Sequence, residues 1–269
     1  MIGKSFVLML LFSLSLSFAL NVLSPGAHAI ENYATIDLGT IGPGQTVSIL
    51  IDPKVTEGGT FGTGGLYDQA VVSNLPPGWQ STESKLYQNP LQVTVTADPN
   101  APEGEYDVIV VVVDEGNGEN LGNITFHAKV NITWDVMDFE VSPSYITTGP
   151  GQPARFEITI SNLGSTSDVF QVTATGSKRW EFTKNIFVPA QSSKTVYYEI
   201  VGTEEETYPA TINVISLASS NIADQKNVTL FVKSNLFGDY KSTNNGVLVF
   251  PIFEALTYSL AGLLSNLVG

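Results

Sequence analysis

The residues that could carry chemistry are few. The chain has no cysteine, which removes disulfides, thiolate metal sites and cysteine nucleophiles. Outside the N-terminal leader described below there is one histidine, His127, set beside Phe126 in an expected strand. One imidazole makes no metal cluster, and no Gly-x-Ser-x-Gly elbow accompanies it for a Ser-His-Asp triad. His127 therefore reads as a structural or surface residue. The run Asp114-Glu115-Gly116-Asn117-Gly118-Glu119-Asn120 is rich enough in oxygen for Ca²⁺. It lacks acidic residues at positions one, three and five of a calcium loop, so a polar hairpin turn is expected. Glu204-Glu205-Glu206 reads as a solvated turn. The glycine-rich stretch Glu57–Tyr67 lacks the Gly-Lys-Ser/Thr ending of a phosphate cradle and reads as a flexible surface loop. A carboxylate pair for glycoside hydrolysis is a spatial arrangement, and modules without long catalytic loops argue against one. No enzyme, cofactor or metal is expected.

A different chemistry is open at three asparagines. Asn123-Ile124-Thr125, Asn131-Ile132-Thr133 and Asn227-Val228-Thr229 each fit the N-glycosylation sequon. Asn123 and Asn227 look equivalent in the repeat described below, on the same strand of two domains.

The elements that would position these residues follow from composition and pattern. In 269 residues there are 26 acidic and 12 basic side chains, a net charge of −14. Such a surface repels phosphate backbones, so nucleic acid is not an expected partner. The N-terminus carries one lysine before the apolar run Phe6–Leu20. Two small-x-small sites follow, Ser17-Phe18-Ala19 and Ala27-His28-Ala29, the layout of a secretory signal. The expectation is a leader over residues 1–29 and an exported chain. At the other end Gly246–Gly269 holds a single charge, Glu254. As a helix it gathers Ile252, Leu256, Leu260, Leu263, Leu264 and Leu267 within about a third of the circumference. Two readings stay open: a membrane anchor, or an amphipathic helix docking on protein or a membrane surface.

Between the ends the periodicity is that of strands. Phe156, Ile158 and Ile160 alternate with Glu157 and Thr159, and Val108–Val113 is continuously apolar, as a central strand would be. Strands are expected over Ala34–Leu38, Gly78–Leu86 and a dozen similar stretches. A repeat organises them. Gly42-Pro43-Gly44-Gln45 returns as Gly149-Pro150-Gly151-Gln152, 107 residues on. Trp79 returns as Trp180 after 101, Tyr106 as Tyr208 after 102, and Asn123 as Asn227 after 104. One order with drifting offsets implies two equivalent domains whose loops differ in length. Each tryptophan is expected to fill a core, and each tyrosine to lock a tyrosine corner before a late strand. The expected fold is all-β: two tandem Ig-like Greek-key sandwiches, residues 30–135 and 136–234, then a linker 235–245 and the apolar helix 246–269.

The order of strand, Gly-Pro-Gly-Gln, strand, Asn162-Leu163-Gly164, Trp180, Pro189-Ala190-Gln191-Ser192-Ser193 and a Tyr-led strand resembles the Ig-like modules of archaeal and bacterial surface proteins. Those modules are similar to domains appended to carbohydrate-active enzymes and to S-layer or adhesin-like proteins. The resemblance covers about Ala34–Ser234 and implies fold far more than activity. Together with the leader, the apolar tail and the lack of a catalytic constellation, the expectation is a non-enzymatic cell-surface protein that binds other surface proteins or itself, and the membrane through Gly246–Gly269. Alternatives are a fibre or surface-layer subunit in which Ala34–Leu38 completes a neighbour's sheet, and a glycan-binding module using Tyr197, Tyr198 or Tyr67. The tether predicts that the full chain requires detergent for extraction while a chain ending at Ser234 does not. Equal solubility of the two as monomers would sink both the anchor and the docking readings.

Overall fold

A computed structural model describes residues 20–116, 118–176 and 180–234. The leader through residue 19, the linker 235–245 and the apolar segment Gly246–Gly269 lie outside the described residues. The chain divides between Thr133 and Trp134 into two units, and every regular element described is a strand.

The first unit comprises β1 (Leu20–Ser24), β2 (His28–Ile30), β3 (Thr35–Ile41), β4 (Thr46–Asp52), β5 (Lys54–Val55) and β6 (Gly65–Leu66). It continues with β7 (Gln69–Asn74), β8 (Gln80–Thr82), β9 (Leu91–Thr96), β10 (Gly104–Val113) and β11 (Ile124–Ile132). One sheet runs β2-β1-β4-β9-β8 and the other β3-β11-β10-β7, with β5 and β6 forming a small separate pair. Strand alternation places every second side chain on one face. Val47, Ile49 and Ile51 of one sheet and Val108, Val110, Phe126 and Val130 of the other thus share one core. The sequence between Val108 and Val113 is apolar throughout because β10 is central, flanked by β11 and β7.

The second unit comprises β12 (Met137–Ser142), β13 (Tyr145–Thr148), β14 (Pro153–Asn162), β15 (Asp168–Thr175), β16 (Phe182–Val188), β17 (Ser192–Val201), β18 (Thr207–Ser216) and β19 (Ala223–Val232). Its sheets run β12-β14-β17 and β13-β19-β18-β15-β16. Phe139, Phe156 and Phe170 are fully buried in its core.

The strands of the structure depart from those expected from the sequence. The expected strand Gly78–Leu86 shrinks to β8, and β13, four residues of mixed polarity, went unanticipated. More consequentially, the leader expected over residues 1–29 is folded from Leu20 onward. Leu20 and Val22 are fully buried, Ile30 nearly so, and β1 lies against β4 with Asn21 facing Asp52 and Val22 facing Ile51. Burying an aliphatic side chain of this size contributes about 1.5–3 kcal/mol, so the stretch is part of the domain and not a dispensable arm.

The repeated Gly-Pro-Gly-Gln is a lock as well as a turn. Gln45 N–H donates to Gly42 O at 3.1 Å and Gln152 N–H to Gly149 O at 3.2 Å. Gly44 and Gly151 hold φ of 80° and 74°, the left-handed conformation that a type II turn demands after proline. The glutamine side chain then folds back, its Oε1 accepting Gly42 N–H at 2.8 Å in one unit and Gly149 N–H at 3.0 Å in the other. Both glutamines are buried. Losing one partner of a buried bond costs about 1–3 kcal/mol. Gln45→Ala and Gln152→Ala are each predicted to lower the unfolding free energy by that amount, read as a lowered urea midpoint at an unchanged m value. An unmoved midpoint in both would remove the lock from the account.

Candidate interaction site

The two units diverge most at one end of the first, where three loops meet around Asp68. This carboxylate is almost fully buried, immediately before β7. Its Oδ2 accepts Glu115 N–H at 2.7 Å, its backbone N–H donates to Val113 O, and its carbonyl accepts Tyr87 N–H at 2.8 Å. The glycine-rich loop, the β10–β11 turn and the 84–88 turn are thereby tied together. The second unit uses Asp168 in the same way. At the start of β15, its Oδ2 accepts the Ser216 hydroxyl at 2.7 Å, and Ser216 Oγ accepts Ala218 and Ser219 N–H in the β18–β19 turn. The signal for this pair in the sequence is two aspartates one hundred residues apart, Asp68 just before β7 and Asp168 opening β15.

The glycine-rich loop is clamped, which corrects the expectation of a flexible one. Glu119 Oε2 accepts Leu66 N–H at 2.7 Å, and Glu119 O accepts Thr60 N–H at 2.7 Å. Asn120 Nδ2 donates to Thr60 Oγ1 at 2.8 Å. The approach is so close that a Cβ at Gly59 would collide with the Glu119 carbonyl oxygen, and Gly59 holds a left-handed φ of 73°, so glycine is required there. At the tip of this fixed loop stands Phe61, 82% exposed. Leu66, Leu86 and Tyr87 are also exposed on the tied segments.

The oxygen-rich turn from Asp114 is organised by its own backbone. Asp114 Oδ1 accepts Gly116 N–H at 3.0 Å and Oδ2 accepts Leu121 N–H at 2.5 Å. No group of three or more metal-ligating side chains occurs among the described residues. His127 Nδ1 pairs with Asp107 Oδ2 at 2.7 Å on the exposed face of β10 and β11. In the acidic triplet, Glu205 accepts Ser234 N–H at 3.1 Å, and Ser234 holds its carboxyl below the usual range.

The tryptophans and tyrosines sit together. Trp79 and Tyr106 rings lie 5.1 Å apart, Trp180 and Tyr208 5.9 Å. Tyr106 hydroxyl donates to Pro102 O at 2.9 Å and Tyr208 hydroxyl to Glu204 O at 3.2 Å, each four residues back along the chain as a tyrosine corner requires. Asn123, Asn131 and Asn227 are all exposed. Asn123 and Asn227 are not equivalent, however. Tyr106 faces Val130 and Tyr208 faces Leu230, so Asn227 corresponds to His127, and Asn123 lies four residues earlier. The β10–β11 connection, residues 114–123, is longer than the β18–β19 connection, residues 217–222, and this puts the two asparagines out of register. Of the aromatic residues considered for sugar, Tyr67 and Tyr198 are buried, and Tyr197 carries the Arg155 guanidinium 3.6 Å above its ring.

No protein-family model matches the chain, nor does any curated protein. Solved structures are similar in fold. One is a chain of the complex between Zinc 2-glycoprotein and Prolactin inducible protein from human seminal plasma, at 11% identity over 37% of this chain and 95% of that one, TM-score 0.32. Another is the CARDB domain of a Pyrococcus furiosus protein in complex with di-metal ions, at 16% identity over 38% and 94%, TM-score 0.29. A chimeric titin Z1Z2 spans both units, at 9% identity over 81% and 99%, TM-score 0.38. The described residues are all-β, with sheets consistent with Ig-like sandwiches.

Beneath the loop end, burial and then the nearby Asp114 carboxylate push the Tyr67 phenol up to about 12. The unfolded chain releases this proton near the ordinary value of 10.0, so folding retains a proton that unfolding gives up. The resulting stability is complete below that ordinary value and is lost as pH rises through the folded one. The difference in phenolate absorbance between the parent and Tyr67→Phe should titrate near 12. A midpoint at the ordinary value would show that Tyr67 is not enclosed.

Proposed function

We propose that the chain is a non-enzymatic exported protein of the cell surface. Its first sandwich presents a rigid loop end to another surface protein or to a second copy, and Gly246–Gly269 tethers it. The observation that carries this reading is Phe61, exposed at the tip of a loop fixed by Glu119. A large aromatic is the commonest kind of binding anchor, and one mounted on an ordered loop loses little further freedom on binding. Domain repetition without a catalytic constellation among the described residues fits a spacer that holds such an end away from the cell. Glycans on Asn123, Asn131 and Asn227 would keep their surfaces solvent-facing.

The alternatives draw less support. A donor role for Ala34–Leu38 would strip β3 from β11, to which it is bonded in parallel along its length. A glycan platform would have to use Tyr197 with one face already occupied.

Protease shaving of intact cells should release peptides from both sandwiches. Adhesion of cells displaying the chain to cells lacking it should fall at least tenfold, about 1.4 kcal/mol, on Phe61→Ser, with the urea midpoint unchanged. Protection from shaving would end the surface reading, and unaltered adhesion would end the role of Phe61.

A further inference from the structure

Two small-x-small sites, Ser17-Phe18-Ala19 and Ala27-His28-Ala29, satisfy a signal peptidase equally well in sequence. The fold separates them. We infer that processing cuts after Ala19, leaving Leu20 as the first residue of the mature chain; this rests on the secretory reading above.

A cut after Ala29 would remove all of β1 and all of β2 except Ile30. The contacts of β1 with β4, from Asn21 against Asp52 to Ser24 against Leu50, would go, as would the pairing of β1 with β2. The fully buried Leu20 and Val22 would be lost from the core, and β4 would become an unpaired edge, the arrangement that invites aggregation. A cut after Ala19 leaves every described strand of the sandwich intact.

The second unit supplies an independent argument. It keeps a first strand, β12, in the same position. Val141 faces Ile158 of β14 as Val22 faces Ile51 of β4. Those partners lie at matching distances after the two turn glutamines, Gln45 to Ile51 and Gln152 to Ile158. Both first strands end in the same dipeptide, Ser24-Pro25 and Ser142-Pro143. The repeat unit therefore begins with β1, and a leader extending to Ala29 would consume the first strand of one copy while the other retains it. Burial of Leu20 in the folded domain does not shield the cleavage point, because a signal peptidase meets the chain during translocation, before the strand is laid down.

The test is N-terminal sequencing, with intact mass, of the full chain recovered after export from a secreting host, alongside Ala19→Leu and Ala29→Leu. The expected terminus is Leu20, lost in Ala19→Leu and unchanged in Ala29→Leu. The first substitution lies in the discarded leader and the second at an exposed position of β2, so neither outcome is confused with misfolding. A terminus at Ile30, or anywhere else after cleavage, overturns the inference while leaving export intact. A chain that still begins at Met1 overturns it together with the cleaved-leader reading.

Discussion

With no cysteine to staple them, the two sheets of each sandwich depend on side chains that bond the backbone where the chain passes from one sheet to the other. Gln45 and Gln152 close the crossovers from β3 to β4 and from β13 to β14, Tyr106 and Tyr208 a later one, and Asp68 and Asp168 tie a strand start to the hairpin turn of another pair. Each tie satisfies a backbone or hydroxyl group that would otherwise be costly to enclose. Apolar packing supplies most of the driving force; these ties decide which strands meet.

The same ties mark where the copies part company. In the second unit β15 pairs antiparallel with the next strand of the chain, β16, in the same sheet. In the first, β7 leads into Pro76-Pro77-Gly78, and the two prolines have no N–H to give a hairpin ladder. The chain leaves the sheet, and β8 pairs with β9 in the other one. Trp79 and Trp180 nevertheless pack on corresponding tyrosines. The tryptophan–tyrosine contact thus survives a change in the sheet to which the following strand belongs.

Divergence at the loop end has a similar cause. Glu119 belongs to the lengthened β10–β11 turn and reaches the glycine-rich loop from far along the sequence. Glycine lets the backbone approach the Glu119 carbonyl oxygen closely. A composition that suggests mobility is here the condition for tight packing, and Phe61 is held out from a firm base. The function proposed above depends on that rigidity.

The sequence by itself determined the strands whose apolar residues alternate, the two Gly-Pro-Gly-Gln turns, the Trp and Tyr landmarks and the all-β class. Those signals are local: a period of two along the chain and residues whose φ preferences force a turn. Sheet partners, the enclosure of Tyr67, the Asp68 and Asp168 ties and the register by which Asn227 corresponds to His127 rather than to Asn123 were decided only by tertiary structure. They rest on contacts between residues tens of positions apart. Leu20–Ile30 is the sharpest instance. An apolar run ending in small residues looks the same whether it leads a chain out of the cell or fills a core. Only pairing with β4, and the presence of β12 in the same place in the second unit, distinguishes strand from leader.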